Sequence, residues 1–400
     1  MRIACVSKDQ RDAEAGLAVA SKFLERGCTV ELILDSRGTA WAAFQTDQAF
    51  QEKCAGMLVV GTTSTNVPPA RAADAFLITL SASGAPNLEL DFCLLGTDVP
   101  KYGIEEMIDG RHNPGWGDRN PSPLKNLVCL FVAVPTNKGY PACPVVVVGP
   151  PQLEQFRGIK VQSLRAAAHA NLELPLGTPL VYYIGQPSTA NPHVLSRLAE
   201  AIHRLRLLVP EVALVVSRHR ADRDIPDNGA THRHVLCHLQ ATSGTRIFEN
   251  SWYHDDLPVE HPDAIPPEFR PTELSSYREL MCACWGGGVI VTGVATDGVI
   301  VAPYLGIPLV LYRDEVQFLS SGPREKRMSR LTLSYTIPQV GSVDELFQSL
   351  LYFLGPTEDR RRRYCEDLLW TFPFPGKDPA EAIVERVLND YAAKSVPSAT

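Results

Sequence analysis

Short apolar runs alternate with amphipathic segments along the first 35 residues of the chain. Residues 2–6 are apolar, a polar turn follows, and residues 12–26 place apolar side chains on one face at helical spacing. Gly27 interrupts the helical pattern, and a second apolar run covers residues 29–34. This order of strand, helix and strand predicts the start of a parallel β-sheet wound with helices.

Further apolar runs predict the other strands and helices. In the first half, strands are predicted at residues 56–60, 90–95, 128–132 and 145–148. In the second half, strands are predicted at residues 179–184, 212–217, 234–239, 288–292 and 308–312. Helices are predicted at residues 192–208, 296–304, 343–354, 357–369 and 379–394. The alternation restarts near residue 179, which favours two wound α/β domains over one large sheet.

The predicted fold class is therefore α/β, with two Rossmann-like parallel-sheet domains and a cleft between them. Residues 1–170 are assigned to an N-terminal domain, residues 171–378 to a C-terminal domain, and residues 379–400 to a C-terminal helix and tail. Residues 165–178 are interpreted as a hinge. Ligands of such sheets bind beyond the carboxyl ends of the strands, so we expect the site in the cleft.

Composition and charge exclude several classes of protein. Hydrophobic residues make up 45% of the 400 residues and charged residues 21%, which excludes collagen, coiled coil and extended disorder. The net charge of −7 gives no global attraction to nucleic acid or anionic lipid. No transmembrane run or signal peptide is evident, and the ten cysteines lie mostly in apolar runs. We expect a soluble cytoplasmic protein with free, buried thiols.

The most informative segment for chemistry covers residues 289–310. It comprises an apolar run, the turn Thr296-Asp297-Gly298, a short predicted helix and a Leu-Gly-x-Pro sequence that leads into the next apolar run. The turn would present hydroxyl and backbone donors at a helix N-terminus, where phosphate binds well. Asp297 would repel a phosphate unless its carboxylate only caps the helix. The alternative is a plain helix cap between two core strands.

Two more short motifs follow strands of the second half: Gly-Gln-Pro-Ser at residues 185–188 and Arg-His-Arg at residues 218–220. Together with the 289–310 segment, they resemble the donor-binding half of the GT-B superfamily. That superfamily contains nucleotide-sugar glycosyltransferases and the non-hydrolysing UDP-N-acetylglucosamine 2-epimerases. The resemblance implies a donor site built from Gly185, Gln186, Ser188, Arg218, His219, Thr296, Asp297, Gly298, Asp314 and Glu315.

Asp314 and Glu315 would hold sugar hydroxyls. The departing diphosphate would be stabilised by Arg218 or by one of two further arginines, Arg220 and Arg313. One position departs from the superfamily pattern. Where many members have a ribose-binding glutamate, this chain has Ile300 or Val301. Neither side chain can accept a hydrogen bond from a hydroxyl. Ribose is then recognised elsewhere, or the donor differs, or nucleotide binding has been lost.

The first half contains candidates for catalysis and acceptor binding. An irregular loop over residues 96–127 is rich in Gly, Asn, Asp, His and Trp, which is typical of a functional loop. Its His112 or Asp109 would serve as the base that deprotonates an acceptor hydroxyl. The alternative for His112 is a loop histidine bonded to backbone. Acceptor contacts are predicted at the ends of the first and third strands, at Ser7, Lys8, Thr62 and Thr63, which otherwise cap helices.

Two other clusters carry weaker signals. On a strand, His232, His234 and His238 would share one face and Cys237 would lie on the other, which leaves a zinc site short of ligands. We therefore expect no metal. The run of four arginines at residues 360–363 is interpreted as a solvated helix face.

The leading hypothesis is a metal-independent, GT-B-type glycosyltransferase that moves a sugar from a nucleotide sugar to a hydroxyl or other nucleophile. The nucleotide sugar, expected to be UDP-linked, is a co-substrate, and no cofactor is expected. One alternative is an epimerase or hydrolase of nucleotide sugars on the same fold, and another is a non-catalytic binding protein. The expected partners are small molecules and not nucleic acid, and the sequence is compatible with a homodimer.

Overall fold

The computed structural model describes residues 1–80, 87–105, 123–132, 143–151, 159–185, 191–217, 228–250, 271–272, 277–293, 302, 305–316, 337–355, 358–371 and 377–395. The chain forms two compact units. The first comprises Met1–Glu154 together with Phe374–Thr400, and the second comprises Gln155–Pro373. The first unit is thus discontinuous in sequence, whereas the second is continuous.

The first unit alternates strands and helices, but the apolar pattern did not predict its strands at residues 75–79 and 101–105. The second of these lies inside the segment interpreted as an irregular loop. Its strands are β1 (Arg2–Ser7), β2 (Thr29–Asp35), β3 (Leu58–Thr62), β4 (Ala75–Thr79), β5 (Lys101–Glu105), β6 (Cys129–Val132) and β7 (Val145–Val147). Its helices are α1 (Gln10–Glu25), α2 (Thr39–Thr46), α3 (Gln48–Lys53), α4 (Pro68–Ala72) and α5 (Leu88–Leu94), with a short 3₁₀ helix over Pro123–Asn126.

The seven strands of the first unit form one sheet in the order β3-β2-β1-β4-β5-β6-β7. Every neighbouring pair is parallel. Ile3 and Cys5 of β1 belong to the hydrophobic cluster on one face, and Ala4 and Val6 belong to the cluster on the other. Because both faces are covered, the strand has no polar alternation.

The second unit repeats the architecture. Its strands are β8 (Leu180–Ile184), β9 (Ala213–Ser217), β10 (Arg246–Asn250), β11 (Pro271–Thr272), β12 (Gly288–Thr292), β13 (Leu309–Tyr312) and β14 (Gln339–Val340). Its helices are α6 (Ile159–Asn171), α7 (Asn191–Arg206), α8 (Asn228–Ser243), α9 (Tyr277–Ala283), α10 (Val343–Leu354) and α11 (Glu358–Thr371). The strands form a parallel sheet in the order β11-β10-β9-β8-β12-β13-β14.

The predicted α/β class with two wound parallel sheets is confirmed. Two of the predicted strands are wrong, because residues 90–95 lie largely in α5 and residues 234–239 lie in α8. Helix α5 is short, and its apolar and acidic residues alternate from Leu88 to Phe92, which is the period of a strand. In α8, Leu236 and Leu239 are buried three residues apart, which is the period of a helix.

The segment interpreted as a hinge, residues 165–178, is anchored in the second unit. Its first part belongs to α6, and the imidazole of His169 is 1% exposed. The Nδ1 and Nε2 atoms of His169 each lie 3.0 Å from a carbonyl oxygen, of Pro175 and Ala283 respectively. These contacts fix α6 and the following turn to α9. The division between the units lies before α6, earlier in the chain than the predicted boundary.

The last helix, α12 (Pro379–Ser395), belongs to the first unit. Its Ile383, Val384 and Val387 are buried in the hydrophobic cluster that contains Phe23 of α1. The hydroxyl of Tyr102 in β5 donates to Asp390 at 3.1 Å, and Arg26 forms an ion pair with Glu381. The C-terminal helix therefore completes a core that begins with the first strand.

Candidate functional site

The order of strands in the first sheet reverses between β1 and β4, and a buried polar cluster lies where these strands end. Ser7 ends β1, Thr79 ends β4, and Glu89 lies in the first turn of α5. The Thr79 hydroxyl lies 2.8 Å from Glu89 Oε1 and 3.0 Å from Ser7 Oγ. All three side chains are 2% exposed or less. The Thr79 hydroxyl thus links Ser7 to the Glu89 carboxylate at the point where doubly wound sheets bind ligands.

The loop after β1 is fixed on both sides by this cluster and by α2. The Lys8 N–H donates to Glu89 Oε1 at 3.0 Å, and the Lys8 carbonyl accepts from Ala40 N–H at 3.0 Å. A Cβ added to Gly38 would lie 2.1 Å from the Lys8 carbonyl oxygen, so only glycine permits this approach. The backbone at the carboxyl end of β1 is therefore held in one conformation.

Two more carboxylates end strands of the first sheet. Asp35, at the end of β2, accepts from Arg37 Nε at 2.8 Å and Nη2 at 2.7 Å, and from Leu88 N–H at 3.2 Å. Burial raises the pKa of Asp35, but the hydrogen bonds from Arg37 and Leu88 outweigh burial, so its pKa lies below the ordinary value. Glu105 ends β5 and is 2% exposed. Sequence reasoning missed these carboxylates, although each directly follows a buried apolar run.

The predicted acceptor residues lie at this carboxyl edge in different settings. Ser7 is fully buried and contributes to the frame of the loop. Thr62 ends the edge strand β3, and its Oγ1 accepts from Ser64 N–H at 3.0 Å in a tight turn. Thr63 is exposed beside it, and Lys8 is half-buried. The edge thus combines a rigid buried frame with polar groups that solvent can reach.

In the second sheet the order of strands reverses between β8 and β12. The N–H of Gly185, directly after β8, donates to the Ser217 carbonyl at 2.7 Å. The Thr292 hydroxyl, at the end of β12, donates to the Ile184 carbonyl at 3.0 Å. Both bonds tie the strand ends together at the carboxyl edge, so the backbone of Gly185 is firmly held.

Three hydrogen-bonded side chains, two of them partly exposed, lie at the carboxyl edge of the second sheet. Nε2 of His193, in the first turn of α7, forms a hydrogen bond with Oδ2 of Asp314, two residues beyond the end of β13. The Tyr312 hydroxyl donates to the same oxygen at 3.0 Å. The side chains of His193 and Asp314 are 25% and 16% exposed. This arrangement orients a carboxylate and an imidazole toward solvent at the ligand-binding edge of the sheet.

The fold is similar to that of several solved structures, although no family model and no curated protein matches the sequence of this chain. One similar structure is the UDP-GlcNAc 2-epimerase from Neisseria meningitidis, solved with UDP-GlcNAc bound. The match covers 97% of this chain and 100% of the epimerase, with a TM-score of 0.55 at 12% identity. The structure of S. aureus MnaA with UDP covers 99% of this chain and 97% of its own, with a TM-score of 0.59 at 12% identity. The match to Acinetobacter baumannii MurG covers 97% of this chain and 99% of MurG, with a TM-score of 0.54 at 10% identity.

The chain has the GT-B fold. This confirms the resemblance that three short motifs of the second half indicate. In this GT-B chain, Arg313 follows β13, and its Nη1 donates to Gln339 Oε1 at 2.9 Å. Burial lowers the pKa of Arg313 to about 10. Glu315 is exposed two residues further on.

Many of the predicted site residues lie outside the described part of this GT-B chain. These are Asp109, His112, Gln186, Ser188, Arg218, His219, Arg220, Thr296, Asp297, Gly298, Ile300 and Val301. Their roles stay predictions from the sequence. His193, which sequence reasoning did not select, is the main addition from the structure. No local sequence pattern marks His193 as a site residue, because only the fold brings its side chain into contact with Asp314.

The histidine cluster and the arginine run are not arranged as expected. His234 and His238 lie one turn apart on α8 rather than on a strand. Across the described ranges, no group of three potential metal ligands is close enough to hold an ion. Arg361 is not solvated like its neighbours, since its Nη2 donates to the carbonyls of Cys284 at 3.0 Å and Gly288 at 2.6 Å.

Two wider properties follow from the described residues. None of the helices in this part of the chain combines the length and the apolarity needed to cross a bilayer. All ten cysteines are free thiols, and eight of them are buried, as the sequence predicts.

Proposed function

We propose that the protein is an enzyme that acts on a nucleotide-linked sugar and transfers the sugar to an acceptor. The observation that carries the proposal is the GT-B fold, matched over almost the whole chain by enzymes whose names state UDP or UDP-GlcNAc as ligands. The second unit would bind the nucleotide sugar, and the first unit would bind the acceptor. Both sheets present polar groups at their carboxyl edges, where such ligands bind.

In this proposal the second unit recognises the sugar through Asp314. A carboxylate oxygen that already accepts from Tyr312 and His193 is fixed in orientation, and carboxylates offer about four lone-pair sites in total. Sugar hydroxyls are suitable donors to a carboxylate that is held in one orientation at this edge of the sheet. The diphosphate would be held by the loop at residues 185–188, the turn at residues 296–298 and Arg218, as the sequence predicts. His112 or Asp109 would deprotonate the acceptor.

A nucleotide-sugar epimerase is the second candidate. Solved UDP-GlcNAc 2-epimerases match the chain at TM-scores of 0.55 and 0.58, and MurG matches at 0.54. The fold therefore supports both reactions. An epimerase needs no acceptor, so product analysis separates the two reactions.

The test is a calorimetric titration of the full-length protein with UDP, GDP, CMP, ADP and TDP. We expect one nucleotide to bind, and Asp314→Ala to weaken binding of the matching nucleotide sugar but not of the free nucleotide. Failure of all five to bind would contradict the proposal and favour a non-catalytic protein, consistent with Ile300 and Val301 at the ribose position. After incubation with the nucleotide sugar, NMR of the products distinguishes transfer from epimerisation.

A further inference from the structure

His193 has one ring nitrogen engaged and one available. Its Nε2 is bonded to Asp314, and no hydrogen-bond partner approaches Nδ1 within the ranges that the structure describes. A quarter of the side chain is exposed. A carboxylate bonded to one ring nitrogen fixes the tautomer and orientation of an imidazole, so the other nitrogen can exchange a proton with a ligand.

A second hydrogen bond fixes the carboxylate of Asp314 as the partner of this imidazole. The Tyr312 hydroxyl donates to the same carboxylate oxygen, and burial raises the pKa of Tyr312, so the phenol keeps its proton. The other charged groups near Tyr312 are Arg197 and Glu200 of α7, which form an ion pair at 3.7 Å. At the far end of α7, Arg204 pairs with Asp344 of α10. The charges on α7 are thus largely compensated, and Asp314 remains the acid directly bonded to His193.

The position of His193 relates it to two parts of a nucleotide sugar. It bonds to the carboxylate that we propose to hold sugar hydroxyls, and it lies in the first turn of α7, the helix that follows β8 where the strand order reverses. Phosphate groups bind at helix N-termini in this position, so we infer that His193 lies near the junction of sugar and phosphate. That junction is the bond that breaks in both reactions under consideration.

We propose that His193 is a catalytic acid that donates its Nδ1 proton to the phosphate oxygen leaving the sugar. This inference rests on the proposed function. The acceptor oxygen forms a bond to the sugar carbon and gives its proton to the base proposed above. The bond between the sugar carbon and the phosphate oxygen breaks, the electron pair stays on the phosphate oxygen, and the Nδ1 proton moves to that oxygen. Asp314 stabilises the imidazolium before the transfer and keeps the Nε2 proton in place afterwards. Solvent returns a proton to Nδ1 before the next turnover.

The first experiment tests the pairing of the two residues without a ligand. A strong hydrogen bond from an imidazole N–H to a carboxylate gives a downfield proton resonance. We expect this resonance in the full-length protein and in His203→Gln, a control on an exposed position of the same helix. It should be absent from His193→Gln and Asp314→Asn. Its persistence in His193→Gln would assign it to another histidine and would contradict the pairing.

The second experiment measures the affinity for UDP-GlcNAc between pH 6 and pH 8, where its diphosphate does not titrate but an imidazole does. A protonated imidazole donates a charge-assisted bond to phosphate, so we expect roughly tenfold tighter binding at the lower pH. His203→Gln should keep this dependence and His193→Gln should lose it. An unchanged dependence in His193→Gln would overturn the role of His193 but not the proposed function. Absence of UDP-GlcNAc binding at every pH would overturn the role of His193, and the titration with five nucleotides then decides the proposed function separately.

Discussion

At the scale of single residues, Glu89 shows how one buried carboxylate organises a loop at the edge of a sheet. It receives the Thr79 hydroxyl and the Lys8 N–H, and it is itself fully buried. In the sequence it alternates with apolar residues just as the exposed Asp91 does, so nothing there marks it as the buried one. Glu89 can accept these two hydrogen bonds only because α5 packs beside β1 and β4 in the folded protein.

Replacement of Glu89 tests this role. We expect Glu89→Ala to lower the free energy of unfolding by about 3 kcal/mol, because two buried donors lose their acceptor. Glu89→Gln keeps a carbonyl oxygen and should cost about 1 kcal/mol. Urea unfolding of both variants checks the difference, with the exposed Glu25→Ala as a control. Equal losses in the two Glu89 variants would show that the acceptor atom is not what matters.

The cysteines give a second prediction at this scale. Burial raises the pKa of Cys5 and of Cys284 to about 12 and of Cys54 to about 11, so thiolate is scarce at these sites at pH 8. Only Cys237 and Cys365 are partly exposed. We expect a thiol reagent at pH 8 to modify these two residues first, and the other eight only after unfolding. Peptide mass spectrometry checks this, and rapid modification of Cys5 in the native protein would contradict it.

At the scale of elements, Asp35 connects the end of β2 to the start of α5. Its lowered pKa means that the ionised form is favoured by folding. The resulting stability is present above the ordinary Asp pKa of about 4 and is lost as the pH falls through the lower, folded-state value. We expect Asp35→Asn to be less stable than the parent at pH 7 and to lose less stability on acidification. Urea unfolding from pH 7 to pH 3 measures both, and parallel curves would contradict the assignment.

The elements themselves could largely be predicted from the sequence. Strands such as β1 and β12 are continuous apolar runs bounded by polar turns, so their period and length suffice. Helices α5 and α8 were mistaken for strands for two reasons. In α5, apolar and acidic residues alternate from Leu88 to Phe92, which is the period of a strand. In α8, several polar histidines hide the three-residue spacing of its leucines. The pairing of His193 with Asp314 depends on contact across 121 positions, which no local pattern contains.

At the scale of the whole molecule, the two units share the same parallel architecture but not the same continuity. The restart of strand-helix alternation near residue 179 predicted two similar halves. It could not predict that α12 returns to the first unit, because burial of Ile383 beside Phe23 is a contact between the two ends of the chain. Amphipathic spacing shows that such a helix has a buried face but not what it packs against.

Matched core substitutions test this assignment. Ile383 in α12 and Ile202 in α7 are both fully buried. We expect Ile383→Ala and Ile202→Ala each to cost roughly 2–5 kcal/mol, because each leaves a cavity. Hydrogen exchange followed by mass spectrometry should show lost protection in β1 and α1 for Ile383→Ala, and in β8 and β9 for Ile202→Ala. Loss of protection in β8 with Ile383→Ala alone would contradict the assignment of α12 to the first unit.

The return of α12 also bears on the order in which the chain acquires its structure during synthesis. The second unit is continuous from residue 155 to residue 373, so all of its strands leave the ribosome before α12 is made. The first unit starts the chain but receives its final core helix from the last residues. The unit that is translated first is therefore the one completed last. Until α12 is made, the surface around Phe23 that it covers stays exposed, and this is where chaperones would be expected to act on the nascent protein.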